Sequence, residues 1–122
     1  MTPISPADYL TTLAEPTRLR VLNCLAAAPL FVSDLQTLLS LPQPTVSRHL
    51  KVLRDLGLAE DRRVAPHVVY RLTLPAGACG RMVRAVLSAL RADAAYKTEA
   101  AAARERSRAD AEDHARRAVH VP

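Results

Sequence analysis

Along the first half of the chain, apolar positions recur at helical spacing, and prolines mark where each run begins. Ser5 followed by Pro6 reads as a cap and first helical residue, opening a short helix over residues 6 to about 14. Pro16 opens a second helix, "PTRLRVLNCLAAA", with Leu19, Leu22 and Ala26 near one line and Val21 and Leu25 beside it; Pro29 ends it. The stretch "SDLQ" predicts a capping box, Ser33 accepting from the Gln36 backbone N–H and the Gln36 side chain reaching back. A short third helix follows over residues 34–39. Pro42 and Pro44 come next, and a fourth helix is predicted from Pro44 to about Leu56, where Gly57 stops it. In that helix Val46, Leu50 and Leu53 follow i, i+4, i+7 and form the apolar stripe.

The two prolines are informative because proline costs nothing at a first helical position, whose N–H has no partner within the helix. Pro44 takes that place and Pro42 stiffens the approach, so helices three and four are joined by a short, fixed turn. That describes a helix-turn-helix. After Gly57 the period changes to two. "LAEDRRV" and "HVVYRLTL" flank Ala65-Pro66, and Val68, Tyr70, Leu72 and Leu74 alternate with Val69, Arg71 and Thr73. With a proline and no glycine in the loop, a longer or irregular turn is expected rather than a tight two-residue one. A hairpin directly after a recognition helix is a wing.

Met82, Val83, Val86, Leu87 and Leu90 make an apolar stripe in the next helix, which Tyr96 extends. A monomer this small could hardly bury it fully, so a partner chain is the expected cover. Beyond Tyr96, "KTEAAAARERSRADAEDHARRA" has alanine and charge but no Leu, Ile or Val. Propensity favours helix there, with nothing to hold it against a core. The expectation is a frayed or solvent-projecting helix that loses order near "VHVP". The chain thus divides into residues 1–96, a DNA-binding and dimerisation domain, and residues 97–122, a charged helical extension or disordered tail. The fold class is mainly α with a small β-hairpin.

Composition narrows the function classes. With 122 residues the chain makes one domain, and with one Phe and no Trp its core must use Leu, Val and Ala. No apolar run approaches the roughly 20 residues of a membrane span. The start "MTPISPADYL" lacks a basic region followed by an apolar stretch, and two cysteines make no disulfide framework. A cytoplasmic chain with no membrane partner is expected. No Gly-rich phosphate loop, Cys/His ligand set or nucleophile with a base is found, so neither enzyme activity nor a cofactor is expected. The net charge is +5, and residues 43–91 carry nine basic side chains against three acidic ones. A basic centre suits a polyanion. On the fourth helix Gln43, Thr45, Ser47 and Arg48 are placed for base edges in the major groove, and Lys51 and Arg54 for phosphates. His49, at the edge of the apolar stripe, is placed either to touch a phosphate or to pack on the neighbouring helix. Arg62, Arg63, His67 and Arg71 make the hairpin basic.

The sequence resembles the ArsR/SmtB winged-helix repressors over about residues 8 to 96. The resemblance rests on "LAEPTRLRVLNCL", on "VSDLQTLLSLPQPTVSRHLKVLRDLGLAEDRR" and on "VVYRL". It implies a homodimer built through the first and last helices, with two recognition helices in successive major grooves of an operator. It also implies a repressor released by a chemical signal. Metal-sensing members carry Cys-X-Cys at the start of the third helix, where this chain has Val32 and Ser33. Others use Asp and His along the last helix; of Asp110, Asp113, His114 and His120 here, only Asp110 and His114 stand at i, i+4. No metal site is expected, since zinc needs about four placed ligands. The sulfur-sensing branch carries a reactive cysteine in the second helix, where Cys24 sits, and its partner well inside the last helix. Cys79 lies nearer the start of that helix, and Leu90 occupies the neighbourhood of the partner position. Cys24 and Cys79 are therefore candidate thiol sensors, although for Cys24 an inert place in the core is the first reading and sensing the second. Two other readings stand beside a thiol-released repressor: a winged-helix protein-interaction module, and a regulator answering to a small ligand without cysteine or metal. The inducer is not named by the sequence.

Overall fold

Each proline-marked start is the start of a helix. The structure, a computed structural model, describes residues 4–119. Among these, the elements are α1 (Pro6–Leu13), α2 (Pro16–Ala27), β1 (Leu30–Phe31), α3 (Val32–Leu39), α4 (Gln43–Asp55), β2 (Ala59–Val64), β3 (His67–Leu72), α5 (Ala78–Leu90) and α6 (Ala94–Val119). Ser5 caps α1 reciprocally: its Oγ accepts from the Asp8 N–H, and Asp8 Oδ2 accepts from the Ser5 N–H at 2.8 Å. Glu15 caps α2, accepting from the N–H groups of Thr17 and Arg18 at 3.2 and 2.7 Å.

The third helix begins two residues earlier than the Ser33 capping box requires. Asp34, in its first turn, accepts from the Phe31 N–H at 2.8 Å, and Ser33 lies inside the helix instead of before it. An acid three residues into a helix satisfies an orphan N–H as well as a serine cap does. Pro44 is the second residue of α4, one place later than expected; that N–H is also unpaired in any helix. Gly57 ends α4 with φ +77°, while Leu58 N–H donates to the Leu53 carbonyl and Gly57 N–H to that of Arg54. This is a Schellman stop, and it needs the left-handed residue that glycine supplies.

The hairpin pairs β2 with β3 from Ala59↔Leu72 to Val64↔His67, leaving a loop of two residues, Ala65 and Pro66. The expected long or irregular turn is corrected. The Ala65-Pro66 peptide is cis. A third strand also went unforeseen: β1, only two residues long, pairs Leu30↔Tyr70 and Phe31↔Val69, giving the antiparallel order β1-β3-β2.

The core is aliphatic. Val21, Leu22, Leu30, Leu35, Val46, Leu53, Leu58 and Val83 have no exposed surface, and Tyr70, Leu72 and Leu74 of the sheet side pack partly against them. Gly80 opens α5 beneath Pro75, where a Cβ would stand 1.9 Å from the Pro75 carbonyl oxygen.

The largest departure is α6. It is not a solvent-projecting extension of α5: the chain turns at residues 91–93, Asp93 Oδ1 accepts from the Ala95 and Tyr96 N–H groups, and α6 runs back along α2 and α3. Ala103 has no exposed surface and Ala100 is 8% exposed. Arg20 of α2 grips Glu99 through Nε and a terminal nitrogen, the latter at 2.7 Å, and Asn23 donates to the Tyr96 carbonyl at 3.0 Å. Further along, Arg106 donates to Asp34 at 2.9 Å. Small side chains let two helix backbones approach closely, so no Leu, Ile or Val is needed on α6. The expected loss of order near "VHVP" falls almost wholly outside the described residues.

Candidate nucleic-acid interface

Helix α4 shows two faces. Val46, Leu50 and Leu53 are buried, while Gln43, Arg48, Lys51 and Arg54 are exposed, and Thr45 and Ser47 are half-buried beside them. Gln43 Nε2 donates to Ser47 Oγ at 2.8 Å, one turn on, so the amide and hydroxyl present a common polar edge. Lys51 pairs with Asp55 at 2.9 Å, and that hydrogen bond holds the Asp55 carboxyl below its ordinary range. Arg54 reaches Asp61 of β2 at 3.7 Å.

The wing is fastened to this helix. Thr73, just past β3, donates its hydroxyl to the Gly57 carbonyl at 2.9 Å and its N–H to the Leu58 carbonyl at 3.0 Å. Sequence reasoning overlooked Thr73, because a threonine in an alternating strand reads only as its polar face. Near the hairpin tip Arg62, Arg63 and His67 are exposed, and the two arginines have no carboxylate partner within 4.0 Å among the described residues. Arg71 is nearer the root and pairs with Glu60 at 2.5 Å across the ladder. The His67 ring lies 5.4 Å from Phe31. The structure therefore gathers the residues of α4 and the hairpin into one rigid unit.

His49 is the exception. Its side chain is 14% exposed and its Nδ1 lies 3.7 Å from Glu15, the cap of α2. Burial pushes the imidazole pKa down, the Glu15 carboxylate opposes this, and Arg18 and Arg48 push it down further. A neutral, inward ring packs on the neighbouring helix; it is not placed as a cation for phosphate.

The cysteines are free and unlike each other. Cys24 has no exposed surface, and burial, aided by the Glu99 carboxylate, pushes its thiol up to about 12 against the opposing pull of Arg20. Cys79 is half-buried at the start of α5. Among the described residues no group of three or more His, Cys, Asp or Glu side chains gathers as a metal site; His120 lies outside them. Nor is any described helix long and apolar enough to cross a membrane.

A helix-turn-helix followed at once by a basic hairpin, over a small antiparallel sheet, defines a winged-helix protein. Residues 15–61 match the family described as bacterial regulatory protein, arsR family. The biofilm growth-associated repressor of Agrobacterium fabrum is 42% identical over 66 residues, covering 54% of this chain and 56% of that protein. A transcriptional repressor SmtB homolog from Synechocystis is 38% identical over 66 residues, covering 54% and 50%. The crystal structure of the transcriptional repressor BigR from Xylella fastidiosa superposes with a TM-score of 0.62 at 33% identity, covering 72% of this chain and 85% of that one. The chain belongs to the ArsR/SmtB family of winged-helix regulators, a family of regulators and not of enzymes. The match spans about half the length of these two curated relatives.

Proposed function

We propose that this chain is a dimeric, sequence-specific DNA-binding repressor. The observation that carries the reading is the outer face of α4, with Gln43, Arg48, Lys51 and Arg54 exposed and the wing locked to the same helix through Thr73. Gln43, Thr45, Ser47 and Arg48 read base edges; Lys51, Arg54, Arg62 and Arg63 meet phosphates. Arg71 must leave Glu60 to join them, and His49 serves the α2–α4 contact instead. Residues 1–96 do the reading and pairing, and within the extension over 97–122 the described part, to Val119, continues the helix that braces them. Pairing through α1 and α5 is supported by Leu10, which α1 leaves 50% exposed, and by the part-buried Met82, Val86 and Leu90 on α5. Two copies so joined place their α4 helices about 34–36 Å apart, one turn of DNA.

For the releasing signal we favour a small ligand over thiol chemistry at Cys24. A thiolate is the reactive form, and a fully enclosed thiol with its pKa near 12 supplies almost none at neutral pH. Titration of fluorescent DNA from upstream of the protein's own gene tests both points. The expected outcome is tight binding, weakened about 5- to 150-fold by Arg48→Ala, equivalent to roughly 1–3 kcal/mol, and unchanged by an organic persulfide. Binding indifferent to Arg48→Ala sinks the assignment of that residue. Loss on persulfide treatment, reversed by reductant, returns Cys24 to the role of sensor.

A further inference from the structure

Between α2, α5 and α6 lies a cavity of about 310 Å³. Its floor is apolar, formed by Ala26, Leu87 and Ala100. Around it stand Arg91, Lys97 and Arg104, and none of the three has a carboxylate partner within 4.0 Å among the described residues. On the same helix Arg106, Arg108 and Arg117 each meet an Asp or Glu, whereas the cations facing the hollow do not. Three uncompensated positive charges around one hollow repel each other, and an anion in the hollow relieves that repulsion.

The arrangement follows from the helix geometry. Lys97, Ala100 and Arg104 fall at i, i+3 and i+7 on α6, so one face offers a cation, a small apolar gap and a second cation. Arg91 comes from the turn that ends α5. Asn23, only 4% exposed, holds α6 at the cavity's edge through its bond to the Tyr96 carbonyl.

We propose that this cavity binds a small organic anion, a carboxylate carrying a short apolar body. The carboxylate takes charge-assisted hydrogen bonds from the guanidinium groups, which suit its two oxygens, and from the Lys97 ammonium. The apolar body covers the Ala26–Leu87–Ala100 floor. The volume sits at the lower end of ligand cavities, about 300–1,000 Å³, which confines the ligand to a small one. Because it touches α5 and α6 at once, the ligand bridges the turn at residues 91–93 and stiffens one helix against the other. Assigning it the part of effector rests on the repressor reading above; its binding does not.

The test is calorimetry on the full chain with sodium hexanoate and sodium benzoate, against hexanol and inorganic phosphate. We expect saturable binding of at least one carboxylate, with hexanol and phosphate at least about tenfold weaker. The double variant Lys97→Gln/Arg104→Gln lies on the surface and should fold; it should lose at least about tenfold in carboxylate affinity. Ala100→Leu should fill the floor and abolish binding, with circular dichroism checking that it folds. The proposal is overturned if neither carboxylate saturates, if hexanol binds equally, if phosphate binds equally, or if the double variant binds like the parent. DNA titration run in parallel separates the two readings: DNA bound without carboxylate binding defeats the cavity, and carboxylate bound without DNA binding defeats the repressor.

Discussion

Helices α4 and α6 are both charged on the outside, yet they are held to the body by different means. The inner face of α4 presents Val46, Leu50 and Leu53, each with at most 1% of its surface exposed. Helix α6 offers Ala100 and Ala103 and then relies on side chains reaching from its neighbours, Arg20 to Glu99, Asn23 to a backbone carbonyl and Asp34 to Arg106. Burying a large aliphatic side chain contributes about 1.5–3 kcal/mol, whereas a part-exposed ion pair contributes about 0–1 kcal/mol. Helix α4 is therefore anchored by the core, and α6 by contacts that chemistry can adjust.

Four experiments break or sharpen this contrast, in falling order of effect. Leu50→Ala should cost about 2–5 kcal/mol in urea unfolding; a loss below about 1 kcal/mol would mean α4 is not anchored as described. Ala103→Leu should cost about 1–3 kcal/mol by overpacking the α2–α6 contact. A neutral or stabilising result there would show α6 standing free of α2.

The third is a pH titration of stability. Burial, then a hydrogen bond with Asp34 and that residue's charge, pushes the Asp110 carboxyl up to about 7, with Arg106 opposing and Asp113 assisting. A carboxyl whose folded pKa is raised favours folding in its protonated form. Its contribution is complete below the ordinary value of 3.8 and lost as pH rises to about 7. Asp110→Asn should flatten that part of the profile and raise stability at pH 8 over the parent. Equal slopes in both proteins would remove Asp110 from the α3–α6 contact. The smallest effect belongs to Lys51→Ala, which should lower the salt slope of DNA affinity by about 0.9 per lost phosphate contact. It should change folding stability by less than about 0.5 kcal/mol. A changed base preference with an unchanged slope would move Lys51 from phosphate to base.

The sequence made α4 readable because its signals are local and redundant: a proline entry, a stripe at i, i+4, i+7, and a glycine exit that became a Schellman stop. The strand partners in β2 and β3 were equally open to period-two reading. What escaped depends on distance along the chain. Asp34 and Arg106 are 72 residues apart, and nothing local marks them as partners. Alanine on α6 looks like absence of a core when no hydropathy pattern announces it, although a close helix neighbour makes it a core residue. The two residues of β1 are too short for any periodicity, and a two-residue turn at Ala65-Pro66 lacks the glycine that would have announced it. Among the site residues, the exposed cations of α4 and the wing tip were open to reading, while His49 needed its neighbour Glu15 to fix its direction.

The hairpin has an electrical asymmetry. Six-residue strands at about 3.3 Å per residue make an arm of about 20 Å. Its root holds Glu60 and Asp61, engaged by Arg71 and Arg54, while Arg62, Arg63 and His67 sit toward the tip. At 0.1 M salt the screening length is about 10 Å, so an approaching polyanion senses the tip before the root. On the proposed reading the wing is a compass as well as a clamp: it would turn the molecule toward DNA during diffusion, with an aim that fades as ionic strength rises.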